Sequence, residues 1–152
     1  MNIFRAQNTA GLTDIRMEYL LEDFPEMPDE QAEYIRAGLP GYYEEHLNRD
    51  FFAYAAEDNG NIIGSAFLVT REMPPNSNFP NGRTGDVLNV YVRPGYRRQG
   101  IASKMLEFLI EDARAMGLDF IELKASADGY PLYRKLGFKD SVSAFRPMKL
   151  IF

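Results

Sequence analysis

The sequence predicts an α/β (α+β) fold, with a mixed central β-sheet flanked by helices and a single domain over residues 1–152. Three observations predict it. Residues 86–92, Asp-Val-Leu-Asn-Val-Tyr-Val, form a β-rich run that stops at Arg93-Pro94-Gly95 and opens into a helix. A second β run, Phe120 to Ala125, follows that helix, and strand–helix–strand crossovers within one sheet are normally right-handed and parallel. Two further runs, Phe51 to Glu57 and Ile62 to Thr70, flank Asp58-Asn59-Gly60-Asn61. Asn-Gly between apolar runs signals an antiparallel hairpin. Parallel and antiparallel pairs together make the sheet mixed.

The elements follow in order. Ile3 to Ala6 is a short strand, after which Thr9 caps a helix through Asp23 with Leu12, Ile15, Tyr19 and Leu20 on one face. Pro25 and Pro28 punctuate. A second helix starts near Pro28 and runs toward Asn48, and Gly38-Leu39-Pro40-Gly41 should break or kink it. After the hairpin, residues 71–84 hold three prolines and no periodic pattern, so they read as one long loop, serving either substrate or connection. The helix that follows carries Ile101, Met105, Phe108, Leu109 and Ala113 at helical spacing, and Gly117 is placed to end it. A last helix from Asp128 to Leu136 is closed by Gly137, and Ser143 to Ile151 can return as a terminal strand.

Composition narrows the chemistry. The chain has no cysteine, which excludes disulfides, thiolate metal sites and a cysteine acyl-enzyme. Its one histidine, His46, lies in a charged helical stretch and reads as a surface residue; no metal site is expected. No apolar run approaches the roughly 20 residues that span a bilayer. The N-terminus lacks a signal peptide's apolar stretch, so the expectation is a soluble cytoplasmic protein without membrane partners. Residues 1–82 carry 5 Lys/Arg against 14 Asp/Glu, while residues 83–152 carry 12 against 8. The acidic half is a poor nucleic-acid surface, so none is expected as a partner. It would attract a cationic amine by steering, or serve only as a solubilising surface.

The junction between the 86–92 strand and its helix is the most informative segment. A helix start leaves several N–H groups without carbonyl partners and carries partial positive charge, so an anion settles there. Gly100 and Ala102 keep side chains from blocking close approach, and Arg97 and Arg98 add full charges. These features describe a cradle for the diphosphate of a phosphorylated cofactor.

About thirty residues on comes Pro131-Leu132-Tyr133-Arg134-Lys135-Leu136-Gly137-Phe138. The order strand, R-x-x-G-x-A helix, strand, L-Y-x-x-L-G-F resembles the acyl-CoA-binding core of the GCN5-related N-acetyltransferase (GNAT) superfamily, closely over residues 86–138. The resemblance implies an acetyl-CoA-dependent N-acetyltransferase, with the cradle strand and the next strand splayed to form the acyl-CoA slot. The backbone of Asn89, Val90, Tyr91 and Val92 would contact pantetheine. The N–H groups of Arg98, Gln99, Gly100, Ile101, Ala102 and Ser103 would hold the diphosphate, with side-chain help from Arg97 or Arg98. Tyr133 would protonate the departing thiolate, and Glu122, or else Asp86, would accept the amine's proton. The family commonly has asparagine seven residues before the tyrosine; Ser126 stands there and would make a shorter contact to the cofactor. Without a cysteine nucleophile, transfer would be direct, within a ternary complex. The acceptor is expected to be a primary amine on a small molecule or peptide, selected by the first two helices and the 71–84 loop. Many relatives pair as homodimers, so a homodimer is an expectation. The alternative is a non-catalytic acyl-CoA-binding or sensing module.

Overall fold

The computed structural model describes residues 1–152. Its sheet has five strands in the order β1-β2-β3-β4-β5: β1 Asn2–Arg5, β2 Phe51–Asp58, β3 Asn61–Glu72, β4 Arg83–Val92 and β5 Phe120–Glu122. The first four pair antiparallel and β5 joins β4 in parallel, so the sheet is mixed, as expected. The helices are α1 Leu12–Asp23, α2 Asp29–His46, α3 Ile101–Ala115 and α4 Tyr130–Lys135. No helix is long and apolar enough to cross a membrane.

Period-two alternation divides β2 between the two faces. Phe51 and Ala53 join Phe67 and Tyr91 beneath Leu12 and Ile15 of α1 and Tyr43 of α2. Phe52 and Tyr54 join Leu68, Val87 and Val92 against Ile101, Met105, Leu106 and Leu109 of α3. The β2–β3 hairpin turns through Asn59 and Gly60 at φ 51° and 78°, the paired positive angles of a type I′ turn. Gly117, at φ 72°, ends α3: its N–H reaches Arg114 O, and the N–H of Leu118 reaches Ala113 O. That pair of bonds is a Schellman motif.

Several expectations are corrected. Thr9 does not cap α1; Asn8 Oδ1 accepts the Ala10 N–H at 3.0 Å, and the helix begins only after Gly11 turns left-handed. Gly38–Gly41 does not break α2, which continues past Pro40. The ring removes one backbone donor, but the helix fully buries only Tyr43, so the missing bond falls on a largely exposed helix. The long loop shrinks to residues 73–82 because β3 and β4 extend into it. It is also tied down: Met73 N–H donates to Gly82 O at 2.7 Å, and the Asp119 carboxylate accepts the N–H groups of Asn81 and Arg83. β5 stops at Glu122 rather than Ala125, and α4 begins at Tyr130 rather than Asp128. Residues 143–151 form no strand: no segment pairs with the outer edge of β5, and Phe145, Met148, Leu150 and Ile151 lie exposed.

Candidate active site

β4 positions the site. It pairs with β5 only through Thr84, Gly85 and Asp86; from Val87 onward its outer edge has no strand partner. On its other side, Leu88 faces Phe67 and Tyr91 faces Ser65, so β4 spends three residues where β3 spends two. The extra residue makes a bulge, which bends a strand and increases its twist. Asn89 lies in it at φ 55° and is 1% exposed. Its Nδ2 donates to Ser65 Oγ at 2.8 Å, and its carbonyl accepts a longer bond from the same hydroxyl. The two parallel strands therefore part just before the bulge, leaving a slot with a free backbone edge on one wall.

The slot ends at the cradle. After Val92 comes a 3₁₀ turn at Pro94–Tyr96, then Arg98 at φ 63° and Gly100 at φ 76°. The N–H groups of Arg98, Gln99, Gly100, Ile101, Ala102 and Ser103 have no hydrogen-bond partner in the chain; the next, of Lys104, bonds Gly100 O at 3.2 Å. Left-handed Gly100 followed by the right-handed first residue of α3 turns adjacent N–H groups into one concavity, an anion-binding nest, and the helix start adds its dipole. Free main-chain donors beside an open strand edge fit a ligand carrying a diphosphate and an extended amide-bearing arm.

The two arginines of the motif separate. Nη2 of Arg97 donates to both oxygens of Glu22 at 2.8 Å, and its Nε donates to Val92 O at 2.7 Å. Its guanidinium stacks 5.5 Å from the Tyr91 ring centre. Arg97 thus ties α1 to the cradle loop. Arg98 has no side-chain partner and is exposed on the loop that carries the free N–H groups. The Val92 carbonyl is occupied by Arg97, leaving the backbone of Val90 and Tyr91 as the less committed part of the edge.

Tyr133 lies on α4, half-buried and edge-on to Phe138 at 5.9 Å. Burial pushes its phenol above the usual value, and the nearby Tyr19 phenol adds to this, so the hydroxyl stays protonated at neutral pH. Gly129 is needed to admit the ring, since a Cβ there would lie 2.8 Å from Tyr133 Cε2. Ser126 Oγ accepts the Gly129 N–H at 3.1 Å and its carbonyl accepts that of Tyr130. Ser126 therefore serves the start of α4, with its hydroxyl hydrogen and one lone pair left to offer.

Glu122 and Asp86 are register partners at the last paired position of β4 and β5. Arg71 reaches both, at 3.0 Å to Asp86 and 3.4 Å to Glu122. Glu122 is about half exposed, so the shared guanidinium is its main neighbour, and water has access to it. His46 stays outside the site, with Nδ1 2.8 Å from Asp50 Oδ1. No group of three His, Asp or Glu side chains is placed to hold a metal ion.

Three site residues escape sequence reasoning. Arg16 Nη1 donates to Asn89 Oδ1 at 3.1 Å, Arg71 bridges the two carboxylates, and Tyr19 packs edge-on against Tyr91 of β4. The one available signal is Arg16 itself, a charge one position from the buried Ile15 on a helix whose apolar face was legible.

Comparison with known proteins gives the family and the fold. A Trypanosoma brucei brucei glucosamine 6-phosphate N-acetyltransferase is 30% identical over 86 residues, covering 57% of this chain and 56% of that protein. An Arabidopsis thaliana chloroplastic GCN5-related N-acetyltransferase 6 is 39% identical over 62 residues, covering 39% of this chain and 22% of that one. The matched region thus spans about half or less of these curated relatives. The crystal structure of a predicted acetyltransferase with acetyl-CoA from Clostridium acetobutylicum superposes with TM-score 0.82 at 30% identity, over 97% of this chain and 95% of that one. A GCN5-related N-acetyltransferase structure from Ralstonia eutropha JMP134, at 20% identity, shares the fold with TM-score 0.76 over 97% and 99%. The acetyltransferase (GNAT) family model matches residues 12–138, and this chain belongs to that family.

Proposed function

We propose that residues 1–152 act as one acetyl-CoA-dependent N-acetyltransferase domain, passing the acetyl group directly to a primary amine of a small-molecule or peptidic acceptor. The observation that carries this reading is the run of unpartnered N–H groups from Arg98 to Ser103, at the end of a strand whose outer edge is open from Val87. Acetyl-CoA supplies the acetyl group activated as a thioester. The diphosphate rests on the nest, with Arg98 adding charge. The pantetheine arm lies along Asn89 to Val92, meeting chiefly the backbone of Val90 and Tyr91.

In the transfer a C–N bond forms and the C–S bond breaks. The amine's proton passes to Glu122, or to Asp86, directly or through water, and Tyr133 gives its phenolic proton to the departing sulfur. A proton from solvent then restores Tyr133. Arg71, holding both carboxylates, keeps the candidate bases at the acceptor end of the slot, opposite the cradle. The chain works in the cytoplasm in this reading, and the apolar residues exposed after Phe138 favour a homodimer; light scattering at micromolar concentration tests the latter.

The test of function is thermal shift with acetyl-CoA followed by free-thiol detection across an amine panel. Amino sugars and their phosphates join that panel because a relative's name includes one. Acetyl-CoA stabilisation with amine-dependent thiol release supports the enzyme. Stabilisation with no release from any amine identifies an acyl-CoA-binding module instead.

A further inference from the structure

Resting on the acetyl-transfer reading, we propose that the acceptor amine also carries an anionic group, a carboxylate or phosphate, and that Arg16 grips it. The charges along α1 lead to this. Asp14 holds Arg36 at 3.0 Å, Glu18 holds Arg93 through two bonds of 2.9 and 2.7 Å, and Glu22 holds Arg97 at 2.8 Å. Three acidic side chains of the helix are thereby matched by arginines. Arg16, on the same helix and half-buried, has no carboxylate partner; its side-chain hydrogen bond goes to the neutral Oδ1 of Asn89 at 3.1 Å. A guanidinium drawn partly out of water without an anion is unfavourable, and a ligand that brings the anion removes that penalty.

The aim of Arg16 is fixed by its surroundings. Asn89 is locked by Ser65 inside the β4 bulge, and the guanidinium stands 5.8 Å from the centre of the Tyr19 ring. Asn89 is three residues along β4 from Asp86, about 10 Å at the usual strand rise. Arg16 therefore stands at the Asn89 end of the stretch given to pantetheine, the end nearer the candidate bases. Its planar fork suits bidentate binding of carboxylate or phosphate. The −9 balance of residues 1–82 overstates the negative charge at this point, because three of the four α1 carboxylates are engaged by arginines and Arg16 has none of them.

The test uses matched acceptors: glucosamine 6-phosphate against glucosamine, and β-alanine against β-alaninamide. Calorimetry on the CoA-loaded full chain gives affinities without requiring turnover, and thiol release gives kcat and KM. The expected result is at least one anionic acceptor binding roughly tenfold or more tighter than its neutral twin, the ratio a charge-assisted hydrogen bond supports. Arg16→Gln should bring that ratio close to one by raising KM for the anionic acceptor, Arg16→Lys should restore part of it, and both should stay folded and still bind acetyl-CoA, with Tm lowered by no more than the loss of the bond to Asn89 explains. The proposal is overturned if no anionic acceptor exceeds its neutral twin, including the case where none binds, or if the preference survives in Arg16→Gln. Failure of acetyl transfer reads differently: no acetyl-CoA binding, or no thiol release from any amine.

Discussion

Replacing Gly100 by glutamate separates cofactor affinity from folding. Gly100 sits at φ 76° immediately before α3, in the left-handed region where an L side chain costs ~1–2 kcal/mol. A Cβ at this position meets no heavy atom within 4 Å. The folded state therefore loses only that backbone strain, a drop in Tm of about 2–8 °C for a chain of this size. Binding should suffer far more. The new carboxylate lies beside the N–H groups of Arg98 to Ser103, competes for them and repels the diphosphate. Each charge-assisted hydrogen bond contributes ~1.5–3 kcal/mol, so losing two weakens acetyl-CoA binding by ~3–6 kcal/mol, roughly 10²–10⁴-fold in Kd. Gly100→Ala, with the strain but no charge, should fall between wild type and the glutamate variant. Isothermal calorimetry measures the Kd values and circular dichroism the Tm. A folded Gly100→Glu protein binding acetyl-CoA within about threefold of wild type would refute the assignment of the nest, since a gap of that size is under 1 kcal/mol.

Tyr133→Phe should lower kcat by about 10²-fold or more, the usual worth of a positioned acid, while sparing acetyl-CoA affinity. Because burial raises the Tyr133 phenol above its ordinary value, the alkaline limb of the wild-type rate profile should begin above pH ~10 and vanish in the variant; an unchanged rate removes Tyr133 as the acid. Tyr54, whose hydroxyl donates to Asp112 at 2.9 Å, has a phenol raised chiefly by burial. A raised folded value means its contribution to stability is complete below the unfolded value of about 10 and is lost as pH rises beyond it. Denaturant midpoints should therefore fall above pH ~10, less steeply in Tyr54→Phe than in wild type. Gly82→Ala places a Cβ 2.3 Å from the Met73 carbonyl at φ 67°. It should cost about 3 kcal/mol and lower Tm by about 6–12 °C, and an unaltered melt would show that the 73–82 loop is not held as described.

Much of the fold was legible because it is written in local patterns. Asn59-Gly60 can take paired positive φ angles, so the hairpin followed from two residues. Gly117 marks the end of α3 through the same conformational freedom, and the apolar spacing from Ile101 to Ala113 is undisturbed. The cradle was legible for a similar reason, since a strand running into a helix start leaves donors free whatever the tertiary context. Misreadings arose where long-range contacts decide. Pro40 and its glycine neighbours signal a break, yet α2 runs on because its exposed side tolerates the missing bond. The 143–151 segment has strand composition, but a strand needs an edge to pair with, and none takes it. The fate of each arginine was likewise invisible: Arg97 and Arg98 are neighbours in the chain, and only the placement of Glu22 on α1 turns one away from the cradle. Arg16 could be flagged as a charge beside an apolar stripe, but its lack of a carboxylate partner appears only when α1 is laid over the β4 bulge.

The most direct measurement is residue-resolved amide hydrogen exchange of the full chain with and without acetyl-CoA. In the free protein the N–H groups of Arg98 to Ser103, lacking partners, should exchange quickly while those inside α3 are protected. Saturating acetyl-CoA should slow exchange at these cradle positions and along the open edge of β4. Tight binding of acetyl-CoA with unchanged exchange from Arg98 to Ser103 would contradict the placement of the diphosphate, and with it the site built upon that cradle.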